Sequence, residues 1–101
     1  LSSEGRDLDE FAASPAVPNP FHETTELLYN VPSEVTPVSI AVFDLAGRRV
    51  RTLVDKNERA GSHVAVWDGT DDRGRAVSSG VYFYRITGPG LDHTRKMLLL
   101  K

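Results

Sequence analysis

From Thr24 onward, apolar and polar side chains alternate in short runs, and turn-forming residues interrupt them roughly every 8–12 positions. No stretch of this region keeps the 3.6-residue period of an amphipathic helix. A chain patterned in this way forms strands joined by tight connections. With no helix to cover a sheet, two antiparallel sheets must cover each other. The expected fold is all-β, an antiparallel β-sandwich, with a small barrel as the alternative architecture.

The runs can be placed one by one. Residues 24–31 carry Leu27, Tyr29 and Val31 at alternate positions, and Pro32 and Pro37 bracket a short connection. Residues 38–43 follow with Val38, Ile40 and Val42 on one face. Asp44-Leu45-Ala46-Gly47 suits a type I turn ending in a left-handed glycine, so residues 49–54 return as a hairpin partner. Val50 and Leu53 break strict alternation there, which predicts a bulge or bend near Thr52. In residues 62–67 Val64 and Val66 share a face, and the run ends on Trp67, read as a core plug. Residues 68–74 hold no apolar side chain and are dense in turn formers, which makes them an exposed loop. Residues 80–87 form a strand with Tyr82, Tyr84 and Ile86 inward, because Arg85 must face out. Residues 93–100 close the chain, giving about seven strands. Residues 1–20, rich in Ser, Asp and Glu with Pro15, Pro18 and Pro20, read as a linker, and a single helical turn over residues 7–13 is all they suggest.

With 101 residues the chain has room for one domain. The absence of cysteine removes disulfides and thiolate metal sites. A net charge of -2 with mixed signs gives no basic footprint for nucleic acid. No apolar run approaches the roughly 20 residues of a transmembrane helix. The chain opens at Leu1 and its one methionine is Met97, so it reads as a processed product or an excised piece of a longer polypeptide, which leaves export open.

Residues able to support catalysis are scattered. His22, His63 and His93 fall on different elements without ligand spacing and read as solvent-facing imidazoles. Ser78-Ser79-Gly80 is a turn entering a strand, with no base paired to either hydroxyl. Asp68, Asp71 and Asp72 form one carboxylate cluster, but their spacing departs from a closed calcium loop, and turn capping explains them. Tyr82, Phe83 and Tyr84 would offer a carbohydrate platform if they faced solvent, although aromatic residues within a strand more often fill a core. No active site, cofactor or metal is expected.

A family resemblance covers residues 19–101. Asn19-Pro20-Phe21, Leu28-Tyr29-Asn30-Val31-Pro32 and Val42-Phe43-Asp44-Leu45-Ala46-Gly47-Arg48 come first. Val66-Trp67-Asp68-Gly69, Ser79-Gly80-Val81-Tyr82 and the closing Arg95-Lys96-Met97-Leu98-Leu99-Leu100-Lys101 follow in order. Together these blocks resemble the type IX (Por) C-terminal sorting domains and the related Ig-like domain of the flagellar hook-capping protein. The resemblance implies an immunoglobulin-like sandwich, placed at the C-terminus of an exported bacterial protein. Such a module works in secretion sorting and cell-surface attachment and has the outer-membrane secretion machinery and its own upstream domains as partners. It would be monomeric in isolation. Arg95, Lys96 and Lys101, flanking Met97, Leu98, Leu99 and Leu100, are then the candidate recognition residues. The alternative is an accessory Ig-like binding module of an extracellular enzyme, touching carbohydrate or a neighbouring domain.

Overall fold

The computed structural model describes residues 12–101, the side chains of residues 33 and 34 excepted. The helical turn expected over residues 7–13 falls outside them except for Ala12 and Ala13, which are a strand. The described residues form five antiparallel strands in the order β1 (Ala12–Ala13), β2 (Thr25–Asp44), β3 (Arg49–Trp67), β4 (Gly80–Gly88) and β5 (Leu91–Leu99). The expected count of about seven resolves into fewer, longer strands. Residues 24–31 and 38–43 run on as the single strand β2, and residues 49–54 and 62–67 as β3.

β2 and β3 pair along almost their whole length, with a register break between Val31 and Val35. That break lets each long strand serve two regions. The first part of β2 takes β1 on its free side, at Tyr29 and Asn30. The last part takes β4, from Ser39 to Asp44. β4 then pairs with β5 from Gly80 to Leu99. The result is one continuous ladder folded over itself, which is how a sandwich shades toward a barrel. The expected bulge is present: Ile40 pairs with Val54 and Ala41 with Thr52, so Leu53 is the extra residue.

The inward faces meet in one core cluster. Leu27, Tyr29, Val31, Ala65 and Trp67 come from one lobe and Val38, Ile40, Val42, Tyr82, Tyr84, Ile86, Met97 and Leu99 from the other. Trp67 is fully buried, with its ring 5.5 Å from Phe21 and 5.1 Å from Tyr82. Its indole N–H donates to the Thr70 carbonyl at 2.9 Å, so the one polar atom of the plug is satisfied as a buried group requires.

The alternation of β3 near its end resolves in favour of tryptophan. Ala65 and Trp67 point inward, while Val64 and Val66 share the solvent face. A period of two cannot hold both sets inside, and the larger apolar area of Trp67 takes the core. The loop over residues 68–74 is mostly exposed, as expected, except that Gly69 is buried against Leu99.

Residues 12–20, read from sequence as linker, are bonded into the sandwich. Val17 exchanges backbone hydrogen bonds with Glu26 at 2.8 and 2.9 Å, Ala16 is buried, and the Thr25 hydroxyl donates to the Pro18 carbonyl at 2.7 Å.

Candidate recognition strand

β5 has β4 on one side and would leave its other edge open. Edge strands present unpaired N–H and C=O groups, and the chain answers this with residues 19–22. The Asn19 amide donates through Nδ2 to the Lys96 carbonyl at 3.1 Å, and its Oδ1 accepts from the Leu98 N–H at 2.9 Å. One side chain thus stands in for a strand residue. Phe21 continues the clamp with its backbone: its N–H donates to the Leu98 carbonyl and its carbonyl accepts from the Leu100 N–H, both at 2.9 Å. This makes a parallel bridge between Phe21 and Leu99. A ring nitrogen of His22 then lies 2.7 Å from the Leu100 carbonyl, to which it must donate. The Phe21 ring is fully buried and anchors the whole segment.

The candidate residues separate by face. Met97 and Leu99 are buried, Leu98 is half-buried, and Lys96, Leu100 and Lys101 are exposed. Arg95 departs from the expectation that all three cations are presented to a partner. It alternates with Lys96 and so lies on the inward side of β5, half-buried, with its Nε buried and without a hydrogen-bond partner among the described residues. Its cross-strand neighbour is Tyr84. Burial raises the Tyr84 hydroxyl above the ordinary phenol range, the nearby Arg95 charge works against that rise, and the hydroxyl donates to the Ser14 carbonyl. The end of the segment is tied down as well, because the Lys101 N–H donates to the Ser79 hydroxyl at 2.8 Å.

Asp68 accepts from the Thr70 N–H at 3.2 Å, and Asp71 accepts from the N–H groups of Arg73 and Arg75 at 2.9 and 3.0 Å. Asp72 accepts from the Thr52 N–H at 2.9 Å. Asp68 and Asp71 thus make the turn contacts anticipated for the cluster, whereas Asp72 reaches across to the beginning of β3. Tyr82 and Tyr84 are buried, and only Phe83 of that trio turns outward, so no aromatic platform forms there. His22 and His93 are exposed. His63 is half-buried instead, its ring stacked on Tyr29 at 5.3 Å and its Nδ1 3.6 Å from Glu58, which also accepts a hydrogen bond from the Tyr29 hydroxyl. Sequence reasoning missed this cluster, which assembles across the β2–β3 ladder from residues far apart in sequence.

Compared with known families, residues 19–90 match the FlgD Ig-like domain. The chain belongs to that family. Among solved structures, dimeric latent PorU from Porphyromonas gingivalis superposes with a TM-score of 0.71 at 21% identity, over 90% of this FlgD-like chain and 9% of PorU. FlgD from Xanthomonas campestris, described as bearing on hook capping in flagellar assembly, gives 0.59 at 21% identity, over 95% of this chain and 72% of that one. PorZ from P. gingivalis, described as an essential surface component of the type-IX secretion system, gives 0.56 at 17% identity, over 99% of this chain and 13% of PorZ. The likenesses establish the Ig-like fold. This FlgD-like domain thus spans about a tenth of the length of PorU and PorZ. No sequence match to a curated protein accompanies them.

Proposed function

We propose that this domain is a non-catalytic sorting and attachment module of a larger exported protein, read by an outer-membrane secretion machinery and retained at the cell surface. The observation that carries this reading is the closing segment. It is fixed in extended form by the Asn19 and Phe21 clamp and turns Lys96, Leu100 and Lys101 outward, with Leu98 half-buried beside them. A rigid strand with a fixed set of outward side chains can be recognised without the entropy cost of ordering a tail. Similarity to PorZ, a surface component of a type-IX system, supports the same reading. Arg95 drops out of the recognised set, because its inward side is spent on the sandwich.

The test is a reporter protein fused ahead of this domain and expressed in a bacterium with a type-IX system. The wild-type fusion reaches the surface, and Lys96→Gln with Lys101→Gln leaves a folded reporter in the periplasm. Normal export of the folded double variant overturns the role of these cations.

A second reading, an accessory module that packs on a neighbouring domain, is favoured by one separate observation. Leu28 and Val64 are cross-strand partners on the outer face, 53% and 51% exposed, with Val66 beside them at 49%. Replacing these residues with threonine would loosen such a contact in the parent protein without altering export.

A further inference from the structure

The sequence uses one five-residue pattern twice, Asp-x-x-Gly-Arg, as Asp44-Leu45-Ala46-Gly47-Arg48 and as Asp71-Asp72-Arg73-Gly74-Arg75. Both copies fold into the same turn. The aspartate Oδ1 accepts from the N–H groups two and four residues on, at 3.0 and 2.9 Å for Asp44 and at 2.9 and 3.0 Å for Asp71. The glycine N–H donates to the aspartate carbonyl at 2.9 Å in each. The two glycines have φ of 85° and 79°, the left-handed region that a side chain would strain. The closing arginine turns back so that Nε lies 3.1 Å from Asp44 Oδ2 in one copy and 3.5 Å from Asp71 Oδ2 in the other.

The copies stand side by side and share one cleft of about 370 Å³, with Val50 and Val77 in its lining. Arg49, which follows the first turn, spans to the second, with Nε 3.8 Å from Asp72 Oδ2. Four arginines, Arg48, Arg49, Arg73 and Arg75, and three aspartates, Asp44, Asp71 and Asp72, therefore stand around the cleft, which leaves one net positive charge. The carboxylates are already engaged, Oδ1 by backbone N–H groups and Oδ2 by Nε of an arginine. In all three pairs the closest nitrogen is Nε, so the aspartates hold each fork from its side and leave its two terminal nitrogens for another acceptor. Arg73 makes no ion pair among the described residues.

We propose that this cleft binds a phosphorylated saccharide. Terminal guanidinium nitrogens match the oxygens of a phosphate in pairs, and the Arg48 fork, hydrogen-bonded to Asp44, loses little freedom on binding. A lone phosphate would leave most of the volume empty, whereas small-molecule sites begin at about 300 Å³ and combine a few polar anchors with apolar walls, the part Val50 and Val77 would play beneath a sugar ring. The proposal does not depend on the export reading, since the cleft is built from the turns and not from β5.

The test follows the arginine Nε–H and backbone amide signals of the isotope-labelled 101-residue chain by NMR during titration. Glucose 6-phosphate should give saturable shifts at the four arginines, with an apparent Kd about tenfold lower than that of inorganic phosphate, and glucose should give none. Arg49→Gln combined with Arg73→Gln should weaken glucose 6-phosphate by about tenfold or more while the rest of the spectrum stays in place, because neither residue closes a turn. Absence of saturable shifts, equal affinity for inorganic phosphate, or unchanged binding by the folded double variant would each overturn the proposal.

Discussion

β5 and the beginning of β3 are both margins of the ladder, and each has unpaired backbone groups covered from elsewhere in the chain. On β5 the cover is Asn19, whose neutral amide both donates and accepts. On β3 it is Asp72, which donates to the Val50 carbonyl with its own backbone N–H at 2.9 Å, while its carboxylate accepts from the Thr52 N–H and faces Arg49. The neighbourhoods differ in the same sense. Asn19 is followed by the buried Phe21, so the β5 cover is held by apolar burial, whereas Asp72 sits among the arginines of the charged cleft. One requirement, that edge N–H and C=O groups find partners, is met by an apolar anchor at one margin and by charge at the other.

The comparison can be broken most severely at the anchor. Phe21→Ala should cost about 3–5 kcal/mol of stability in denaturant unfolding, the range for emptying a buried aromatic site. A loss below about 1 kcal/mol would mean that the β5 cover does not depend on burial. Next in size is Asn19→Asp, which keeps an acceptor for Leu98 but sets a carboxylate against the Lys96 carbonyl. A loss of about 1–2 kcal/mol is expected, with amide exchange accelerating at Leu98.

Acid should sharpen the contrast. The Arg48 N–H holds the Asp44 carboxyl below its usual range, the Thr70 hydroxyl does the same for Asp68, and the Arg75 N–H for Asp71. Asp92, at the far end of β5 from the Asn19 clamp, is lowered by the Arg85 guanidinium. A carboxyl whose folded pKa lies below its unfolded value stabilises the fold above that unfolded value, and the contribution is lost as pH falls through the folded one. Below about pH 4 the turn and loop end beside β3 should therefore fray before the Asn19 clamp, readable residue by residue in amide spectra. Simultaneous loss at both margins would contradict the distinction. The smallest effect belongs to Asp72→Asn, since the amide oxygen still accepts from Thr52. A change within about 0.5 kcal/mol is expected at neutral pH in the same denaturant assay.

The sequence by itself determined the all-β class, the one-face sets Leu27, Tyr29, Val31 and Val38, Ile40, Val42, the turn at Gly47, the bulge beside Thr52 and the burial of Trp67. Each of these has a local cause: a period of two, a residue that tolerates positive φ, or an aromatic too large to leave outside. The Asp-x-x-Gly-Arg pattern stands twice in the sequence, but each copy taken alone looks like an ordinary turn, and the structure shows the two folding alike. Tertiary structure alone decided that Val64 and Val66 face water, since alternation defines two faces without saying which is inside. It also decided that Arg95 lies on the inner side, that β2 and β3 run unbroken through the expected connections, and that Asn19 and Phe21 complete the last strand. The Asn19 contacts join residues more than seventy positions apart through a side chain that imitates backbone, and no periodicity in the sequence records such a bond.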